Sequence, residues 1–481
     1  MIRDVAYSTL LMRQRRQLHQ RVGEAMETLL GERLGEFQSI IAEHFLRAEA
    51  WARAVDYLLR AGDEAARLSA DAEARGHYEK AMNALLRLPD TVENRRRRVD
   101  TILQQVAVSS IAERPDLNLA RLAEAEALAS ELPTVDRVSG EDRLRLARVR
   151  YWIGRIHHVA GDPRQAIAHY RQVLAIGQEA GDEQLIAIPS AMIGLALAVQ
   201  GQWAKAGQLL GQAVPALERA GEWREWCRVV GYIGISLVAR GDYHRGVAEA
   251  QRALDRALEL NDQAIIGSNY ILLCVTHVLN ERMEALAAAG QEAVKEAERS
   301  GEQVILYAGL AFRGWARGRL GHHEAARSDM EQSNAVGAGL GRLILSDWFA
   351  VGRADIALAA GRVDEALTLA EQAVNVANQI GSIFTEGFAH RVWAQALAAA
   401  TPPRWDEAEA HLATSLRALE SGEAHLPAAH ARLLWGRLCR DRQDTAAALD
   451  LLRRAADQFT TSQLDDELSQ ARRLIDEITT L

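Results

Sequence analysis

Residues 234–261 read GISLVARGDYHRGVAEAQRALDRALELN. Two features of this stretch decide the fold. Gly241 and Asn261 stand twenty residues apart, and both residue types tolerate the left-handed backbone that ends a helix. Gly234 and Gly246 flank the first of these stops, seven residues before it and five after it. Two small residues around one turn let the helices on either side cross closely, because no side chain holds the backbones apart. Asp242 directly after the stop suits a helix N-cap.

Stepping outward by twenty gives Gly161, Gly181, Gly201, Gly221, Gly241, Asn261, Glu281, Gly301, Gly321, Gly341, Gly361 and Gly381. Ten of these twelve are glycine; with 35 glycines in 481 residues, about one would be expected by chance. Such spacing predicts helices of about 16–18 residues reversed by tight turns. In steps of forty, Gly154, Gly194, Gly234, Cys274, Gly314 and Ala354 are all small, and so are Ala166, Ala206, Gly246, Ala326 and Ala366, with Leu286 the exception. The unit is therefore a 40-residue helical hairpin. Asp162 before Pro163, and Asp182, occupy N-cap positions like that of Asp242.

The pattern continues less regularly at both ends. Downstream it meets Pro403-x-Trp405-x-x-Ala408 and Arg442-x-Asp444-x-x-Ala447. Upstream it meets Glu49-x-Trp51-x-x-Ala54-x-x-x-Leu58, Gly76-x-Tyr78-x-x-Ala81-x-x-x-Leu85 and, more weakly, Pro115-x-Leu117-x-x-Ala120. Breaks fall near Pro89–Arg98 and Leu132–Gly140. About eleven hairpins follow, with residues 462–481 left as a C-terminal capping helix. Trp203 and Trp405 sit at packing positions, while Trp223 and Trp226 open a helix.

Gly-Asp-Tyr-x-x-small-x-x-x-apolar, with a small residue seven before the glycine, resembles the tetratricopeptide repeat, whose usual length is 34 residues. The resemblance covers roughly 46–460. It implies an all-α, right-handed superhelical solenoid of antiparallel helix hairpins. Variants of 40 residues are similar to the C-terminal superhelix of bacterial signal-transduction ATPases of the maltose-regulon-activator class. A second resemblance rests on Ile2-Arg3-Asp4-Val5-Ala6-Tyr7-x-x-Leu10-Leu11, Arg15-Arg16-x-Leu18-His19, Ala42-Glu43-His44 and Ala54-x-x-Tyr57-Leu58-x-x-Ala61-Gly62. These look like the link between ATPase module and repeats in ATPases associated with class III adenylate or guanylate cyclases. The expected organisation is a helical segment over 1–45 resembling the end of a winged-helix/ATPase module. Irregular repeats follow over 46–140, regular ones over 141–460, and the cap over 461–481. Met1 is then either a false start of a longer gene or the beginning of a detached sensor arm.

Composition narrows the function. A net charge of −9, with lysine only at positions 80, 205 and 295, argues against direct nucleic-acid binding. No lysine follows a glycine, so the Gly-Lys phosphate cradle is missing. Cys227, Cys274 and Cys439 form no C-x-x-C pair and suit a reducing, cytoplasmic setting. The most apolar run, 185–199, is too short to span a bilayer. The run Arg95–Arg98 reads as a solvated helix face. Adjacent histidines, His157-His158 and His322-His323, point about 100° apart on a helix and chelate a metal poorly. No catalytic, cofactor or metal residue is assigned, and the chain reads as a non-catalytic interaction scaffold. Because the resemblance places the first helix of each hairpin on the concave face, the register nominates Arg148, Tyr151, Arg155, His158, Arg228, Trp315, Arg319, Trp348 and Asp355 as groove contacts. The expected partner is a protein or peptide, with a small-molecule inducer in the superhelix as the alternative.

Overall fold

In the computed structural model, residues 11–68, 70–110, 113–132, 137–341 and 343–480 are described. Among them the chain is helical throughout, with no strand. The segment Ile2–Leu10, which opens the second resemblance, lies outside the described residues. The chain divides into two compact units, Met1–Ile156 and His157–Leu481.

In the second unit the twenty-residue rule is realised almost throughout. First helices of 17 residues, such as Glu183–Val199, Trp223–Ala239, Gln263–Leu279 and Gln303–Arg319, alternate with second helices of 18, such as Trp203–Ala220, Tyr243–Leu260 and Met283–Ser300. Every stop from Gly161 to Gly381 has positive φ, including Asn261 at 51° and Glu281 at 52°. Asp162 and Asp182 accept hydrogen bonds from backbone N–H groups in the first turn of the next helix. Asp242 does not cap; its carboxylate lies 3.9 Å from Arg245 instead.

The first helices are buried nearly all round: on Gln263–Leu279 the enclosed residues run from Ile265 to Leu279 with few gaps. The second helices bury one stripe, Gly246, Ala250, Ala253, Leu254 and Ala257 in the case of Tyr243–Leu260. A helix apolar on all sides belongs inside and an amphipathic one outside. The hairpins therefore stack with their first helices inward.

That inner layer is wound until successive turns of the superhelix touch. Ile383 N–H donates to the Gln200 carbonyl at 3.0 Å, and Ile344 N–H to the Val159 carbonyl at 2.8 Å. The Ser382 hydroxyl reaches the Val199 carbonyl 183 residues away, and Arg282 reaches Asp466 and Glu467 at a separation of 184 and 185. A separation near 183 residues corresponds to about four and a half 40-residue hairpins per turn. Gly201 shows why its position excludes a side chain: φ is +81°, and a Cβ there would stand 2.9 Å from the Phe384 backbone nitrogen.

Two departures from the repeat have local causes. After Gly341 the chain does not re-enter a helix until Ser346, because Leu343 is buried and its carbonyl packs on Gly161, so the helix Ser346–Ala359 is short. Towards the C-terminus the stops become Glu423, Gln443 and Gln463, all with positive φ. Gln443 is exposed and only its backbone is used, donating to the Arg440 carbonyl. Replacing it with glycine should stabilise the protein by about 0.5–1 kcal/mol, the left-handed penalty less the added freedom of the unfolded chain. A melting temperature equal to or below that of the parent would refute this.

The first unit contains Met12–Leu30, Gln38–Arg47, Trp51–Arg67, Asp71–Leu85, Val92–Ala107 and Pro115–Ser130, and Arg137–Val159 runs from it into the second unit. Gly76 is not a turn, contrary to the template placed on it; it lies within Asp71–Leu85. Tyr78 instead packs its ring over Gly62 and donates to Asp63 at 2.8 Å. The four arginines of the basic run are each paired: Arg95 with Asp90 and Glu131, Arg96 with Asp142, Arg97 with Asp56 and Arg98 with Glu124. They tie this helix to its neighbours rather than presenting a patch for phosphate.

Candidate functional site

The inner face of the second unit carries charge where apolar packing would suffice. Trp315 and Arg319 lie one turn apart on Gln303–Arg319, and Asp355 lies on the next inner helix, Ser346–Ala359. The Asp355 carboxylate accepts from Trp315 Nε1 at 2.8 Å and from Arg319 Nη1 at 2.9 Å. Arg319 Nη2 then reaches Glu281 Oε2 at 3.3 Å. Glu281 Oε1 in turn meets Arg391 Nη1 at 2.5 Å and stands 3.9 Å from His430 Nδ1. Arg391 comes from Ile383–Ala399, its guanidinium 4.4 Å from the centre of the Phe388 ring, and His430 from His425–Asp441. Four inner helices and one turn thus converge on two carboxylates.

Burial opposes the charge on Glu281, but Arg391, His430 and Arg319 outweigh it and hold the carboxyl far below its ordinary range. Asp355 raises Arg319 against the desolvation of its guanidinium, with Glu281 adding to the effect. His430 is pushed down to about 4 by burial, so it is neutral at pH 7. Beside the cluster, a space bounded by Val278, Phe384, Phe388, Leu419 and Pro427 has a volume of about 10 Å³. That is room for one water and no more.

Three of the residues nominated from sequence, Trp315, Arg319 and Asp355, are therefore brought together, but in a largely buried network in which only the Arg319 side chain of the three keeps appreciable exposure, 28%. Trp315 is 0% exposed. Trp348 is also buried and packs on Phe384 at a ring distance of 4.6 Å. Arg228 pairs with Glu225 on its own helix. Arg148 is exposed on Arg137–Val159, where Arg155 and Tyr151 flank the Trp152 ring, each about 5.9 Å from it; His158 is half-buried on the same helix. Sequence reading missed Glu281, Arg391 and His430. Only Glu281 announced itself, as the acidic residue at a glycine stop.

Among the described residues no group of three or more His, Cys, Asp or Glu side chains could hold a metal ion, and no helix is long and apolar enough to cross a membrane. The three cysteines are buried and unbridged.

Neutral histidines make the unit acid-sensitive. His277, His390 and His430 are each lowered to about 4 by burial, and His390 also shares a 2.7 Å Nδ1–Nδ1 hydrogen bond with His411, which requires a neutral acceptor. In the unfolded chain these groups take up protons near pH 6.5, before the folded state does. Their contribution to stability is thus complete above about pH 6.5 and is lost as pH falls towards 4. Glu281, whose carboxyl is depressed, adds stability above its ordinary range near 4.5 that is lost only below it. Going from pH 7.5 to pH 5 should cost about 2–5 kcal/mol in total. Denaturant titrations at the two pH values measure this, and H277Q and H390Q should flatten the profile; equal stability at both would refute it.

No family model matches the sequence, and no curated protein matches it. Solved structures do. A Rap protein complexed with competence and sporulation factor superposes with a TM-score of 0.58 at 13% identity, over 77% of this chain and 99% of that one. The Rap conjugation gene regulator of plasmid pLS20, in complex with the Phr* peptide, gives 0.48 at 14% identity, over 76% and 96%. The apo form of the quorum sensor NprR from B. thuringiensis gives 0.46 at 10%, over 76% and 97%. At such identities the likeness concerns fold, and only the first superposition is close enough to carry it. The chain has the tetratricopeptide-like fold of helical repeats.

Proposed function

We propose that this chain is a non-catalytic scaffold whose second unit takes up a peptide or protein segment on its inner face. The observation that carries the reading is the Glu281–Arg391–Arg319–Asp355 network. Buried ion pairs are a poor source of stability, because apolar side chains of similar volume do as well or better. Charges kept inside such a superhelix suit recognition rather than packing. The fold agrees: the Rap protein of the same architecture is complexed with competence and sporulation factor. Selection of a random short-peptide library on the immobilised full chain tests the proposal. Enriched peptides should bind the free chain with micromolar affinity and lose at least tenfold on R319Q. A library that enriches no sequence would overturn it.

The finer reading is that the chain serves as the regulatory arm of a bacterial signalling ATPase or nucleotide cyclase. Its support is the resemblance at Ala42-Glu43-His44 and Ala54-x-x-Tyr57-Leu58. In the structure Ala42, Ala54, Tyr57 and Leu58 share one core, so these residues also serve packing. The coding DNA upstream of Met1 tests it: an in-frame Walker motif supports the reading, and stop codons close to Met1 in that frame oppose it.

A further inference from the structure

Glu281 occupies a position where the repeat calls for glycine, and it holds a left-handed backbone, φ 52°, that disfavours any other residue. Gln443 holds the same backbone with its side chain unused, so strain alone does not single out Glu281; its contacts do. The Glu281 carboxylate reaches 2.5 Å from Arg391 and 3.3 Å from Arg319, on helices about 110 and 40 residues further along the chain.

The donor side of this contact is only partly filled. Arg391 and His430 are both less than a tenth exposed, yet Arg391 Nε and His430 Nε2 have no hydrogen-bond partner. Arg437 lies two turns beyond His430 on the same helix face, half-buried and within the field of Glu281, and among the described residues it makes no ion pair. Desolvation lowers its affinity for its proton, with Arg440 adding to the effect. Arg319 and Arg391 thus face Glu281 and Asp355, and Arg437 feels Glu281 and Asp441 without touching either. Phe388 supplies an apolar wall beneath Arg391. The adjoining space holds no more than a water, so a second carboxylate can enter only by taking the place of the first. Glu281 is mounted on the turn Asn280–Arg282 rather than within a helix, and the buried Asn280 amide beside it has neither polar atom paired.

We propose that Arg391, His430 and Arg437 form a receptor for a peptide carboxylate, and that Glu281 occupies this receptor as an internal surrogate until an acidic peptide displaces it. This rests on the peptide-binding reading above and names the chemistry of the ligand. The carboxylate comes either from an Asp or Glu side chain or from the peptide's C-terminus.

The test uses the full chain and three fluorescent pools of pentapeptides, read by anisotropy. One pool contains Asp and Glu with an amidated end, one is neutral with a free C-terminal carboxylate, and one is neutral and amidated. The chain should prefer one or both carboxylate pools over the amidated neutral pool by at least tenfold; which one identifies the source. E281Q should raise affinity for that pool at least tenfold. R437Q breaks no ion pair, so its melting temperature should not fall, and it should lower affinity for the carboxylate pool at least tenfold. The R437Q result decides the matter even if E281Q does not fold. Equal binding of all three pools, or unchanged carboxylate affinity in R437Q, overturns the receptor and leaves the peptide scaffold standing. No binding of any pool to any variant overturns both.

Discussion

Replacing Asp355 with alanine is expected to destabilise the protein by about 3–5 kcal/mol, the usual consequence of removing one partner from a buried charge network. Asp355 is 4% exposed and is the acceptor for both Trp315 Nε1 and Arg319 Nη1. Without it, the Trp315 N–H is stranded in a site with no exposure, and Arg319 keeps only its longer contact to Glu281 at 3.3 Å. An orphaned donor and an under-compensated guanidinium each retain their full desolvation penalty. D355N, which can still accept from Trp315, should fall between alanine and the parent. The double replacement R319M/D355L removes the under-compensated guanidinium but leaves the Trp315 N–H stranded, so it should recover only part of the loss. Urea unfolding of the four proteins measures the series. A D355A variant within 1 kcal/mol of the parent would show that the network does not contribute in this way.

Replacing Gly234 with leucine is expected to cost more than about 3 kcal/mol, and replacing it with alanine about 1–3 kcal/mol. A Cβ at Gly234 would stand 2.6 Å from the Gly246 carbonyl oxygen and 2.9 Å from the Ala250 nitrogen. The reciprocal Cβ at Gly246 would stand 2.6 Å from the Gly234 oxygen. The obstructing atoms are backbone, so no rotamer change relieves them; the helices Trp223–Ala239 and Tyr243–Leu260 must move apart. Gly211, inside Trp203–Ala220, has nothing within 4 Å of its Cβ position. G211A should therefore stabilise by about 0.5–1 kcal/mol through helix propensity alone. Opposite signs at two helical glycines separate close approach from propensity. If G234A were as stable as the parent, the crossing would be looser than described.

The register of glycines was enough to place the helices, because helix ends are decided locally. A residue at positive φ and the cap beside it specify a stop with no reference to distant chain. The same logic paired Gly234 with Gly246, which are only twelve residues apart. It failed where distant chain intrudes: the helix after Gly341 starts late because Leu343 lies against Gly161 on the neighbouring turn.

The nomination of Trp315, Arg319 and Asp355 followed from register too, but their enclosure did not. Whether an inner face is an open groove or a filled axis depends on superhelical pitch, the sum of small rotations accumulated over about four and a half hairpins. Contacts such as Ser382 to Val199, 183 residues apart, exist only once that sum is made. The meeting of Glu281 with Arg391 and His430 belongs to the same class. Local backbone chemistry wrote the hairpin into each forty residues; the winding of the whole stack determined which charges face one another at its centre.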